Sequence, residues 1–315
     1  MTPASEPPST AGTVGAGRPR SNGIGAGPPR DDAVATQIPL IVRAALEEDL
    51  AGGTDVTSSA TIPPDDWSEG DFVARADGVV AGLAVVGWAL DLSAKNGGNV
   101  DVAPQVEDGD EVRRGDVLLS VHGPTTTLLT AERTALNFLC HLSGVATLTR
   151  RWVEALEGTG AKVRDTRKTT PMLRALEKYA VRCGGGVNHR MSLSDEALIK
   201  DNHVLAAGGV ARAFHRVRGR FPGVPVQVEV TRLDQIEEAL AVGADSILLD
   251  NMSTEQMREA VQINAGRATL EASGGLTLDR AREVGETGVD FLAVGALTHS
   301  APILDIAFDL RAPRR

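Results

Sequence analysis

Val224-Pro-Val-Gln-Val-Glu-Val230 is a short, largely apolar run, followed by the amphipathic segment Leu233–Val242 and then a second run, Ser246-Ile-Leu-Leu249. The alternation continues: Thr254–Gln262 has helical periodicity, Ala268–Ala272 is strand-like, Leu278–Glu286 is helical, and Phe291–Val294 is strand-like. Glu229, Asp250 and Glu271 follow one another at intervals of 21 residues, and Gly295 comes 24 later. A strand and a helix per 21 residues is the rhythm of a parallel (β/α) barrel or wound sheet. Ile247-Leu-Leu249 and Leu292-Ala-Val294 are apolar throughout, as strands buried on both faces must be. The runs end in Glu229, Asp250-Asn251, Ser273-Gly-Gly275 and Gly295. In a barrel the C-terminal strand ends build the active site, so polar residues there point to chemistry.

Upstream of this rhythm, Arg164, Arg167, Lys168, His189, Arg190, Lys200 and His203 fall within forty residues of a chain whose formal net charge is −10. They sit in short polar strings rather than along one helix face. Two readings remain: a solvated basic face, or cations delivered at segment ends onto one anion. The overall acidity argues against nucleic acid or an anionic membrane as partner, and no apolar run is long enough to span a bilayer. Cys140 and Cys183 have no CxxC spacing and read as reduced core thiols.

Residues 37–145 have a different pattern. An apolar helical stripe through Ile38, Leu40, Ile41, Ala44, Ala45 and Leu46 is followed by strand-like Gly70–Ala76, Val79–Ala84 and Val117–Val121, with a helix expected at Val85–Ala94. A long helix over about Thr126–Leu142 connects this region to the barrel. The pattern is α+β with mainly short-range connections. Residues 1–36 are expected to be a disordered tail: Pro and Gly supply 12 of the first 30 positions and apolar periodicity is absent. No apolar h-region follows the start, so no secretory signal is read there and the expected setting is the cytoplasm. The remaining divisions are a barrel domain over 146–297 and a segment over 298–315 that returns to the N-terminal domain.

Ser273-Gly274-Gly275 and Val294-Gly295-Ala296 are successive Gly-containing turns between strand and helix. Together they can aim backbone N–H groups at one phosphate. Glu229 and Asp250 end neighbouring strands. They could form an ion pair at the barrel mouth with Lys200, or bind ribose hydroxyls and help hold Mg²⁺ through a phosphorylated substrate. A zinc site does not fit, since His189 and His203 lack ligand spacing and the cysteines are remote. No activated nucleophile is evident, although Lys168 or Lys200 could in principle form a Schiff base as in an aldolase. Arg133 lies on an otherwise apolar helix, either paired locally or with a neighbouring chain, or aimed into a cleft to fork onto a carboxylate or phosphate.

Taken in order, Glu132-Arg-Thr-Ala-Leu-Asn137, Asp165-Thr-Arg-Lys-Thr169, Gly184-Gly-Gly-Val-Asn-His-Arg190, Leu198-Ile-Lys-Asp-Asn-His203, Val228-Glu-Val230, Leu248-Leu-Asp-Asn251, Glu271-Ala-Ser-Gly-Gly275 and Ala293-Val-Gly-Ala296 strongly resemble the quinolinate phosphoribosyltransferase family. The resemblance spans about Gln37 to Ala312. It implies an N-terminal α/β sandwich plus an open, incomplete α/β barrel, in a homodimer or larger assembly with shared active sites. The implied reaction joins quinolinate to phosphoribosyl pyrophosphate with Mg²⁺ as cofactor, giving nicotinate mononucleotide, pyrophosphate and CO2. By resemblance, Arg133 of the partner, Thr166, Arg167, Lys168, His189, Arg190 and Lys200 would surround quinolinate. Ser273, Gly274, Gly275, Val294, Gly295 and Ala296 would bind phosphate, and Lys168, Glu229 and Asp250 would serve catalysis. The nearest alternative is a related phosphoribosyltransferase with another acceptor; a non-catalytic nucleotide sensor would not need Glu229 and Asp250.

Overall fold

The structure is a computed structural model that describes residues 32–94 and 99–311. Its first half runs α1 (Asp32–Leu50), α2 (Val56–Thr61), β1 (Trp67–Ala74), β2 (Gly78–Val79), α3 (Leu83–Ser93), β3 (Asp101–Pro104), β4 (Glu111–Val112) and β5 (Val117–Pro124). Helix α4 (Thr125–Ala155) then leads into β6 (Lys162–Arg164), α5 (Arg174–Cys183), β7 (Ala197–Ile199), α6 (Asp201–Ala207) and α7 (Val210–Arg220). The alternation continues with β8 (Val226–Val230), α8 (Asp234–Ala241), β9 (Ser246–Asp250), α9 (Thr254–Asn264) and β10 (Thr269–Ser273). The chain closes with α10 (Ala281–Gly285), β11 (Phe291–Ala293), α11 (Ala296–His299) and β12 (Ile306–Leu310).

Two main sheets result. The N-terminal sheet has the order β12-β1-β5-β3, all neighbours antiparallel, with α4 packed against α1, α3, β5 and β12. The second sheet is parallel, in the order β6-β11-β10-β9-β8-β7. It does not close between β7 and β6; instead Val187 makes a single parallel bridge to Arg164. This is an open, incomplete barrel beside an α/β sandwich. On one face Val226, Val228, Val230, Ile247, Leu249, Ala272 and Leu292 are at most 1% exposed, and on the other Gln227, Leu248 and Glu271 are at most 5%, so these strands are covered on both faces. Each such Val, Ile or Leu contributes roughly 1.5–3 kcal/mol of transfer free energy.

Three boundaries differ most from the sequence reading. The expected tail over 1–36 ends earlier, because α1 already begins at Asp32 and buries Val34 and Ile38; residues 1–31 lie outside the described ones. The strand expected at Val79–Ala84 shrinks to two residues. The backbone beyond it bonds elsewhere, Val80 N to Asp110 O and Ala81 N to the Ser143 hydroxyl. The connecting helix does not stop at Leu142 but continues unbroken to Ala155, so the border at 145/146 falls inside it. Ser143-Gly144 looks like a stop signal. Gly144 is there for close approach: a Cβ would sit 2.1 Å from the carbonyl oxygen of Pro302, where the chain returns toward β12.

Candidate active site

The C-terminal ends of the parallel strands surround a cavity of about 560 Å³. Strand register sets its rim. Asp250 on β9 lies level with Ser273 on β10, which lies level with Ala293 on β11, while Glu229 pairs with Leu248 one pleat lower. Of the residues singled out from sequence, Thr166, Arg167, Lys168, His189, Arg190, Lys200, Glu229, Asp250, Ser273, Gly274, Gly275, Val294, Gly295 and Ala296 line this cavity. Arg133 does not: it is exposed on α4 and absent from the pocket of its own chain. His203 faces elsewhere, its Nδ1 accepting the Lys200 N–H at the start of α6. Arg164 is also diverted, into an ion pair with Glu271 (2.9 Å) and a bond to the Asn188 carbonyl (3.2 Å).

The cavity holds more positive than negative charge. Lys200 Nζ is 3.1 Å from Glu229 Oε2, so that ion pair does form. Among the described residues no carboxylate comes within salt-bridge distance of Arg167, Lys168 or Arg190, and Arg167 Nε is buried without a hydrogen-bond partner. Arg190 is held by a bond from its guanidinium to Glu196 O (2.6 Å); burial and the nearby Arg167 both push its pKa down. Thr298 Oγ1 donates to Lys168 O (2.8 Å), and the aliphatic stem of Lys168 crosses Gly295. An excess of cations in a walled cleft, with Arg167 and Arg190 partly buried, is a strong site for a multiply charged anion.

The turn after β10 is built for backbone exposure. Gly274 has φ +88°, and a Cβ there would lie 2.2 Å from Asn251 Oδ1. Asn251 itself has φ +55° and donates its amide to Asp250 Oδ2 (2.9 Å), steadying that carboxylate at the rim.

His189 corrects one sequence expectation: it is no cation. It is 8% exposed, and burial, followed by the nearby Arg164, lowers its pKa from 6.5 to about 3. Its Nδ1 accepts the Arg190 N–H (2.7 Å), which leaves Nε2–H to donate to Gln227 Oε1 (3.1 Å). Gln227 in turn donates to Glu271 Oε2 (3.1 Å). Glu271 is fully buried beneath the pocket, and burial pushes its carboxyl pKa up against the pull of Arg164. Glu271, Leu198, Leu248, Leu276, Ala293 and His299 complete the lining without having been singled out as site residues. The 21-residue spacing had put Glu271 on a barrel strand; its position two residues before Ser273, on the same side of the strand, was the available signal.

An open parallel barrel whose mouth combines unpaired cations, strand-end carboxylates and two glycine turns defines an enzyme that handles a phosphorylated sugar together with an anionic second ligand. Comparison with known proteins narrows that class. "Quinolinate phosphoribosyl transferase, N-terminal domain" matches residues 55–143, and the C-terminal domain of the same family matches residues 145–309. The nicotinate-nucleotide pyrophosphorylase [carboxylating] of Mycobacterium leprae (strain TN) is 52% identical over 272 residues, covering 85% of this chain and 95% of that protein. A probable enzyme of the same name from Bacillus subtilis (strain 168) is 40% identical, over 87% and 93% of the two chains. Among solved structures, the nicotinate-nucleotide pyrophosphorylase from Francisella tularensis superposes with a TM-score of 0.83 at 36% identity, covering 88% of this chain and 96% of that one. NadC from Streptococcus pyogenes gives 0.82 at 42% identity over the same shares. The chain belongs to the quinolinate phosphoribosyltransferase family.

Proposed function

We propose that this chain is a quinolinate phosphoribosyltransferase of de novo NAD biosynthesis. It transfers phosphoribosyl from phosphoribosyl pyrophosphate to the ring nitrogen of quinolinate, forming nicotinate mononucleotide, pyrophosphate and CO2. One observation carries the reading beyond family membership: Arg167, Lys168 and Arg190 line one cavity without a salt bridge among the described residues, Glu196 and Asp195 acting on Arg190 only at longer range. A dicarboxylate matches that surplus, whereas a neutral acceptor would leave desolvated cations unpaired.

As the bond from C1′ to the pyrophosphate oxygen breaks, positive charge develops on C1′. Glu229 and Asp250 at the rim stabilise it while the pyridine nitrogen adds. Arg167, Arg190 and Lys200 hold the acceptor carboxylates, and Lys168 stabilises the departing pyrophosphate. The pyridinium then draws in the electron pair of the bond to the 2-carboxylate. CO2 leaves, and C2 takes a proton from solvent. No protein nucleophile is needed.

The two rim carboxylates suit a hard divalent cation held mainly by substrate oxygens, and among the described residues no group of three or more metal-ligating side chains exists. Glu229 and Asp250 would hold Mg²⁺ with the substrate; bound there, the ion supplies charge neutralisation of the phosphates.

We further read the working unit as a homodimer in which Arg133 serves the partner's cavity. Support comes from its exposure on α4 and from exposed Leu193 and Leu205, which flank Lys200 and offer an apolar surface for a second copy. The expected setting is the cytoplasm, in keeping with two free, buried cysteines and the absence, among the described residues, of any helix long and apolar enough to cross a membrane.

The direct test follows CO2 and pyrophosphate release from quinolinate, with nicotinate as control acceptor. Equal turnover of both acceptors, or pyrophosphate without CO2, would sink the assignment. For the shared site, inactive Arg133→Ala and Asp250→Ala chains are mixed under subunit exchange; activity should return in part, and none returning despite exchange removes Arg133 from the partner's cavity.

A further inference from the structure

Arg167 and Arg190 are carried by two separate non-helical segments, 165–170 and 187–191, and like charges brought this close repel when no anion lies between them. Something outside the pocket has to fix their separation. Helix α5 runs behind both segments. Arg174, Lys178 and Arg182 recur at i, i+4 and i+8, so they share one face. They reach successive points of the second segment: Met191 O (3.2 Å), His189 O (2.9 Å) and the Asn188 side chain. Arg174 also grips the first segment, through Nε to Thr169 Oγ1 (3.0 Å) and a terminal nitrogen to Arg167 O (3.5 Å). On the neighbouring face Glu177 Oε2 accepts the Thr170 N–H (3.0 Å), while its Oε1 meets His141 Nε2 of α4 (2.9 Å), which anchors α5 itself.

Resting on the reading above, we propose that Arg174 is a positioning residue of the acceptor site. Its guanidinium spans the main chains of both segments and sets the distance between Arg167 and Arg190 to fit two carboxylates on one ring. Arg174 does not line the cavity, so it acts only through those it holds. Helix stability does not explain it, because a cation in the first turn opposes the helix dipole. Lys178 bridges the same two segments through Asp165 and His189, but as a fully buried ion pair whose loss endangers the fold. Arg174 is only partly buried and is the rung that can be changed.

The experiment measures KM for quinolinate and for phosphoribosyl pyrophosphate separately in the full-length enzyme with Mg²⁺, for wild type, Arg174→Ala and Arg174→Lys. Misplacing two binding groups by about an ångström should raise the quinolinate KM roughly ten- to hundredfold. The KM for phosphoribosyl pyrophosphate should rise much less, since Lys168, the residue of this segment next to the phosphate turn, is held independently by the Thr298 bond to its carbonyl. Lysine cannot fork across two segments and should leave most of the defect, whereas guanidinium ion added to Arg174→Ala should restore part of it. Thr169→Val, which deletes only the Nε acceptor, should shift the same constant in the same direction and serves if Arg174→Ala fails to fold. A quinolinate KM within about twofold of wild type, or an equal rise in both constants, overturns the proposal and leaves the proposed function standing. Wild-type enzyme that releases no CO2 from quinolinate overturns both.

Discussion

Two clusters of charge share the segment 187–191, one on each side of it. Behind it, Asp165 and Lys178 form an ion pair with both side chains fully buried; the His189 N–H and the Asn188 amide complete the shell of the carboxylate, and His189 O that of the ammonium. In front of it, Arg167, Lys168 and Arg190 face a cavity and make no salt bridge among the described residues. Burial pushes the Asp165 carboxyl up and the Lys178 ammonium down in pKa, and their mutual attraction opposes both shifts. In the open cluster no such ion pair forms among the described residues; Glu196 and Asp195 act on Arg190 only at longer range, which leaves room for an anion from solution. Closed charge belongs to the scaffold, whereas charge left in surplus belongs to a ligand.

That contrast breaks first where it concerns stability. Lys178→Met strands a buried carboxylate and should destabilise the fold by about 3–5 kcal/mol in chemical denaturation. Adding Asp165→Asn should recover part of that loss; no recovery would mean the pair is not the source. In front of the segment the expectation reverses. Arg167→Ala should weaken quinolinate binding by about 2–4 kcal/mol in calorimetry while changing unfolding free energy by less than about 1 kcal/mol. Equal losses in both measurements would erase the distinction.

His189 sharpens the comparison because it touches both sides. Its folded pKa, about 3, lies below the ordinary 6.5, so below pH 6.5 the unfolded chain takes up a proton that the folded chain refuses. Stability tied to the neutral ring is therefore complete above pH 6.5 and declines as pH falls toward 3. The buried carboxyls Asp165 and Glu271, with raised pKa values, work in the opposite sense, so the difference between two proteins is the useful quantity. Wild type's advantage over His189→Gln should shrink by about 2 kcal/mol between pH 7 and pH 5. A constant difference would show that the ring titrates normally. The smallest effect expected is that of salt: raising ionic strength from low to about 0.5 M should weaken quinolinate binding several-fold and leave the Lys178–Asp165 contribution unaltered.

The barrel was legible because each strand carries an apolar face and recurs at a nearly fixed interval; β8, β9, β10 and β11 all fell within a few residues of expectation. The two-residue strand β4 was not, and β2 was expected too long, since their hydrogen bonding depends on partners distant in sequence. Arg167 and Arg190 could be singled out by residue type and by the strings that carry them. The charge state of His189 could not, because it follows from burial and from Arg164, which the sequence does not show to be a neighbour. Arg174, Lys178 and Arg182 stood at helical spacing in the chain. The missing knowledge was what lay opposite that face.

Helix α4 has a consequence for anyone dividing this protein. The two family segments meet at 143/145, yet that junction lies in mid-helix, with Leu142, Ser143, Gly144, Val145 and Ala146 all buried. A cut there would leave four carbonyls on one fragment and four N–H groups on the other without partners, in apolar surroundings. Neither fragment should be obtained as a stable, separately expressed unit. Motion of one half relative to the other has to bend a 31-residue rod rather than swing on a linker.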